Sequence, residues 1–143
     1  MRAIAAALGL GLCLALVRPD GAAAERVEVR VSISRQAMEV FHEGRRLFTW
    51  PVSTGKSGMA TPKGIYKPWI LSRNHRSRQY NNAPMPYAIF YQGGYAIHGT
   101  DQERKLGRPA SHGCVRLSKS NARILFEMVK AEGMENMRVN IVP

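Results

Sequence analysis

Val27, Val29, Val31 and Ile33 alternate with polar residues, the period of two in which successive side chains point to opposite faces of a strand. That pattern predicts a strand with one buried face. A second extended stretch covers Met38 to Phe41. His42-Glu43-Gly44-Arg45 then reads as a tight turn, since glycine reaches positive φ at little cost. Leu47 to Ser53 resumes a partly apolar extended pattern, so the chain opens as a meander of strands.

Ser53 to Gly64 is rich in Gly, Ser, Thr and Pro and predicts a loop before a short strand over Ile65 to Leu71. Ser72 to Pro86 is polar and charged and reads as a long surface loop, a length often used for a lid or a binding wall. Tyr87 to Tyr91 and Tyr95 to His98 read as two strands joined by Gln92-Gly93-Gly94, the second delivering His98 at its end. Ser118 is placed to cap a helix running to about Glu132, with Ile124, Leu125, Met128 and Val129 on an apolar face and Gly133 as its stop. Arg138 to Val142 supplies a last strand. The pattern is mainly β with one main helix, and it holds no repeats or heptads.

The N-terminus changes how this domain is read. Arg2 is followed by an uncharged run from Ala3 to Val17, and Ala22-Ala23-Ala24 meets the small-x-small rule for signal-peptidase cleavage before Glu25. Residues 1–24 are therefore expected to be an export signal and residues 25–143 a single domain. Cleavage removes Cys13 and leaves Cys114 as the one thiol of an exported chain, where an unpaired cysteine points to intermolecular pairing or a reactive group. Without Arg2, Arg18 and Asp20, the 21 basic and 10 acidic residues become 19 and 9, a net charge of +10. Such an excess favours polyanions. In an exported protein these are expected to be the anionic polymers of the cell wall rather than nucleic acid, with the periplasm or the wall as location.

Cys114 sits in Ser111-His112-Gly113-Cys114-Val115-Arg116. A cysteine attacks as thiolate, so it needs a neighbour that removes its proton or holds its charge. His112 and Arg116 lie two residues to either side, on one face if the segment is extended. Gly113 lets a substrate approach the backbone and leaves amides for an oxyanion hole, and Ser111 is placed to hold the turn. His98, in Ala96-Ile97-His98-Gly99-Thr100, is a second candidate base. The residues alone do not choose between the two histidines. His42 and His75 have no such setting and read as surface or core residues. His98, His112 and Cys114 would supply three ligands of an open zinc site, but no C-x-x-C or H-E-x-x-H spacing supports a metal. Gly55-Lys56-Ser57 ends like a phosphate-binding loop, but Trp50 stands where its first glycine should be.

These residues resemble the L,D-transpeptidases with a YkuD-type catalytic domain, whose hallmark is a histidine followed after a short loop by Ser/Thr-His-Gly-Cys and commonly an arginine. Pro51-Val52-Ser53-Thr54-Gly55-Lys56, Thr61-Pro62-Lys63-Gly64 and Ala83-Pro84-Met85-Pro86-Tyr87 extend the resemblance over most of residues 27–142. It implies a mostly β fold, a sandwich or open barrel with a helix packed beside it, no metal and no organic cofactor. It implies that Cys114 attacks a peptidoglycan tetrapeptide stem, releases D-alanine and forms a thioester that a second amine resolves. His98 would be the base, oriented by the Gly99 carbonyl, in a thiolate–imidazolium pair. His112 would support the thiolate or shape the oxyanion pocket, the amides of Gly113 and Cys114 would hold the oxyanion, and Arg116 would fix the loop or bind a carboxylate. The acceptor is expected to be a neighbouring stem, giving a 3-3 cross-link, or a lysine of an envelope protein. Penem-type β-lactams are expected to acylate the same thiol. Resolution by water, as in a carboxypeptidase or amidase, and a silent peptidoglycan-binding module are the competing readings.

Overall fold

The structure is a computed structural model that describes residues 25–143. The export signal expected over 1–24 lies outside the described residues. Among the described residues, nine strands form two sheets and one α-helix packs on them. The chain starts with the meander β1 (Val27–Ser32), β2 (Ala37–His42) and β3 (Arg45–Pro51). The turn between β2 and β3 places both Glu43 and Gly44 at positive φ, +48° and +79°, the turn whose twist matches that of the flanking strands. β4 (Gly64–Tyr66) and the C-terminal β9 (Met137–Val142) complete a five-stranded sheet in the order β3-β2-β1-β9-β4, in which β1 and β9 run parallel. The second sheet has the order β5-β6-β7-β8 and consists of β5 (Ile70–Arg76), β6 (Pro84–Gln92), β7 (Tyr95–Thr100) and β8 (Val115–Ser118).

The valines read as one face of β1 are fully buried, and they meet Met38, Val40, Ile89, Ile97, Leu117, Val139 and Ile141 in one core shared by both sheets. The helix α1 (Lys119–Glu132) packs mainly on β6 and β7. Ser118 Oγ accepts the Asn121 N–H at 3.1 Å and the N–H of Gly133 bonds Val129 O, so both ends are capped as expected. Its buried face is Ala122, Leu125, Phe126 and Val129, with Met128 partly buried against the core. Ile124, expected on that face, is 43% exposed, because Phe126 takes the inward place one step round the helix.

Two further expectations are corrected. The stretch Ile65 to Leu71 is not one strand but parts of β4 and β5, which lie in different sheets. The long loop over Ser72 to Pro86 shrinks to residues 77–83. Ser72 to Arg76 continue β5, which pairs with β6 from Ile70↔Phe90 to Arg76↔Pro84. β5 ends its sheet and has β6 on one side only, so most of its residues remain accessible and need no apolar alternation. β8 follows Cys114 directly and runs parallel to β7, with Ile97↔Val115 and His98↔Arg116 in register. That pairing brings the histidine strand beside the cysteine motif.

Candidate active site

His98 lies near the end of β7 and is 6% exposed. Its Nδ1 stands 2.7 Å from the Gly99 carbonyl oxygen. A carbonyl only accepts, so Nδ1 carries the proton and Nε2 is left with a free lone pair. Burial holds the imidazole neutral, with its pKa lowered to about 4, the hydrogen bond to Gly99 opposing the shift and the charges of Arg116 and His75 adding to it. His75, which the sequence left outside the site, stacks edge-on against Phe90 at 4.8 Å.

Cys114 is half-buried and its Sγ makes a long contact of 3.9 Å with Gly94 O. Burial pushes its thiol up, while the Ala96 N–H and the Arg116 guanidinium pull it back. The raised thiol and the lowered imidazole both favour the uncharged forms in the free site. Burial thus works against the thiolate–imidazolium pair expected from the sequence. His112 is partly exposed, and burial together with Lys56 and Arg116 lowers its pKa too.

The segment from His112 to Cys114 is not extended, since Gly113 has φ +120°. His112, Cys114 and Arg116 nevertheless line one cleft of about 640 Å³ with His98 and Ser111. Residues 77–83 form one wall, where Tyr80 stacks on His112 with ring centroids 4.0 Å apart and planes 7° from parallel. Lys56, Lys105 and Asp101 also line the cleft and add charge. Among the described residues no three His, Cys, Asp or Glu side chains converge as a ligand set.

Ser111 is fully buried and closes the turn: its hydroxyl donates to the Cys114 carbonyl at 2.5 Å and accepts the Gly113 N–H at 3.0 Å. The Gly113 amide, expected in the oxyanion hole, is thus engaged by Ser111. The turn is braced from behind by the loop after β3. Ala110 and Ser111 N–H bond Thr54 O at 3.0 Å, Lys56 N–H bonds Ser111 O at 2.9 Å, and Ser53 and Arg116 exchange both backbone bonds. Gln36, buried at φ +49°, donates to Thr54 Oγ1 at 2.6 Å and accepts the Thr54 N–H at 3.0 Å.

Tyr80 and Gln36 belong to no motif of the sequence, yet both support the site. An aromatic residue inside an otherwise polar loop was a signal for the first. No local pattern marks the second, which acts through residues 18 positions away.

The L,D-transpeptidase catalytic domain model matches residues 26–141. The chain belongs to that family. A Bacillus licheniformis protein named as an L,D-transpeptidase, YkuD, is 25% identical over 119 residues, covering 80% of this chain and 65% of that protein. The crystal structure of an L,D-transpeptidase from Stackebrandtia nassauensis superposes with a TM-score of 0.73 at 30% identity, covering 85% of this chain and 57% of the other. The L,D-transpeptidase LdtMt1, solved in complex with imipenem, has the same fold with a TM-score of 0.73 at 24% identity, over 82% of this chain and 59% of that one. This chain therefore spans less than two thirds of the length of each of these three family members.

Burial of His98 has a consequence for stability. Between its folded value near 4 and the ordinary histidine value of about 6.5, the unfolded chain binds a proton that the folded chain refuses. Stability from this group is therefore full above about pH 6.5 and is lost as pH falls toward 4. The full shift corresponds to about 3 kcal/mol. Denaturant titrations at pH 7 and pH 4.5 should show this loss in the wild type and a smaller one in His98→Gln. Equal losses in both would contradict it.

Proposed function

We propose that this domain is a cysteine-dependent L,D-transpeptidase acting on peptidoglycan tetrapeptide stems after export to the periplasm or cell wall. The observation that carries the reading is a buried His98, its Nδ1 held by the Gly99 carbonyl, lining the same cleft as Cys114. Nε2 of His98 takes the thiol proton as Sγ attacks the carbonyl carbon preceding D-alanine. General-base removal of the proton during attack suits a pair that starts neutral. The imidazolium then gives the proton to the departing D-alanine amine, and the acyl group remains on Cys114 as a thioester. An amine of a second stem, or of an envelope protein, attacks the thioester, loses its proton to His98 and frees the thiol.

The half-buried Arg116, with Lys56 and Lys105, gives the cleft positive charge suited to stem carboxylates. Penem-type β-lactams supply a strained carbonyl to the same thiol and are proposed as inhibitors, a reading supported by the imipenem complex of the family member LdtMt1.

Incubation of the purified protein with tetrapeptide-stem muropeptides, followed by mass spectrometry, tests the proposal. Loss of D-alanine with formation of 3-3 dimers is expected. Loss without dimers, when acceptor stems are in excess, would make the enzyme a carboxypeptidase. No change in the muropeptides would contradict catalysis on this substrate.

A further inference from the structure

The carbonyl of Gly113 is tied into the protein interior. Its oxygen accepts a hydrogen bond from Thr61 Oγ1 at 2.8 Å, and the same hydroxyl accepts the Gly55 N–H at 2.9 Å. The direction of both bonds is fixed, since an N–H only donates and a carbonyl only accepts. Thr61 is 4% exposed and lies 52 residues from Gly113 in sequence. Nothing in the cleft is needed to keep it there.

The peptide joining Gly113 to Cys114 is a rigid trans plane, in which the carbonyl and the following N–H point in opposite directions. Holding the carbonyl on Thr61 therefore directs the Cys114 N–H away from Thr61. No loop or turn hydrogen bond among the described residues uses that N–H, whereas the preceding amide, Gly113 N–H, is engaged by Ser111 Oγ. Of the two amides that flank the nucleophile, one is occupied and the other is aimed.

We infer that Thr61 is a positioning residue for acyl transfer: by holding the Gly113 carbonyl it aims the Cys114 N–H at the oxygen that becomes negative when Sγ attacks. This rests on the acyl-transfer reading above. The nucleophile and the donor belong to the same residue, so the peptide plane sets where the oxyanion must form relative to Sγ. Rotation of that plane moves the donor without moving the thiol far. A hydroxyl at position 61 is required, and its methyl group is not.

Two reactions of Cys114 separate this role from a merely structural one. Acylation by a penem passes through a tetrahedral oxyanion. Alkylation by iodoacetamide displaces iodide at a saturated carbon and forms none. In the full-length protein, Thr61→Val and Thr61→Ala are expected to slow penem acylation, followed by intact mass, on the order of 10²-fold, as misplacement of an oxyanion donor does. Alkylation at the same pH should keep the wild-type rate, and Thr61→Ser should restore acylation. Melting curves place each assay below the transition of the variant used.

Wild-type acylation in Thr61→Val and Thr61→Ala would overturn the inference. So would equal slowing of acylation and alkylation, or a Thr61→Ser variant as slow as Thr61→Val. A wild-type protein that no penem acylates would instead remove the proposed acyl transfer, and this inference with it.

Discussion

Cys114→Ala is expected to abolish release of D-alanine, and His98→Gln to lower kcat by about 10²- to 10⁴-fold, the range for loss of a positioned general base. The two losses have different origins. Alanine has no atom to carry the acyl group. Glutamine keeps a polar side chain whose amide can still donate to Gly99 O, but it cannot take a proton, so KM should change far less than kcat. His112→Gln provides the comparison that the sequence could not make. Its imidazole stacks on Tyr80 and is pressed toward the neutral form by burial, Lys56 and Arg116, and its loss should act on the shape of the cleft. Steady-state kinetics on tetrapeptide stems checks this. A greater fall in kcat for His112→Gln than for His98→Gln would reverse the assignment of the base.

Gly55→Ala is expected to destabilise the domain by about 3 kcal/mol, the upper range for forced overpacking, and to cost most of the activity. A Cβ at residue 55 would land on the carbonyl oxygen of Met59 and come within 3.0 Å of the Thr61 N. These are backbone atoms of the same turn, so relief requires the turn to open. Opening it separates the Gly55 N–H from Thr61 and loosens the hold on Gly113. Gly58 is the control in the same loop. It has φ +79° but nothing within 4 Å of an added Cβ, so Gly58→Ala should carry only the backbone penalty of about 1 kcal/mol. Denaturant melts of both variants, with D-alanine release measured alongside, test the pair. Equal stability of Gly55→Ala and Gly58→Ala would contradict the packing argument.

The parts of the fold that could be read from the sequence are those whose burial is one-sided and local. The alternation of Val27, Val29 and Val31 survives intact as the buried face of β1, and the positive-φ turn at Glu43-Gly44 is where glycine announced it. The Ser118 and Gly133 caps were legible for the same reason, since capping acts over three or four residues. β5 was not legible because an edge strand with accessible side chains carries no apolar rhythm. β8 is only four residues long and gains its place from pairing with β7, a partner distant in sequence.

At the site, the cysteine motif and both histidines could be found in the sequence, but not the burial that shifts their titration. Burial of His98 is a property of the assembled sheets. The bracing of Ser111 and Gly113 by Thr54, Gly55 and Thr61 is likewise long-range. It explains why Ser53 to Gly64, read as an ordinary loop, is held closely against the cysteine turn.

In the proposed mechanism Cys114 carries the acyl group, with His98 as its base. The most direct measurement is intact-mass analysis of the protein quenched in acid during turnover of a tetrapeptide stem, with peptide mapping of any adduct and Cys114→Ala treated in parallel. An added mass equal to the donor stem without its terminal D-alanine is expected, mapped to Cys114, removed by hydroxylamine and absent from the variant. An adduct of equal yield on Cys114→Ala, or D-alanine release by the wild type with no adduct at any time of quenching, would contradict it.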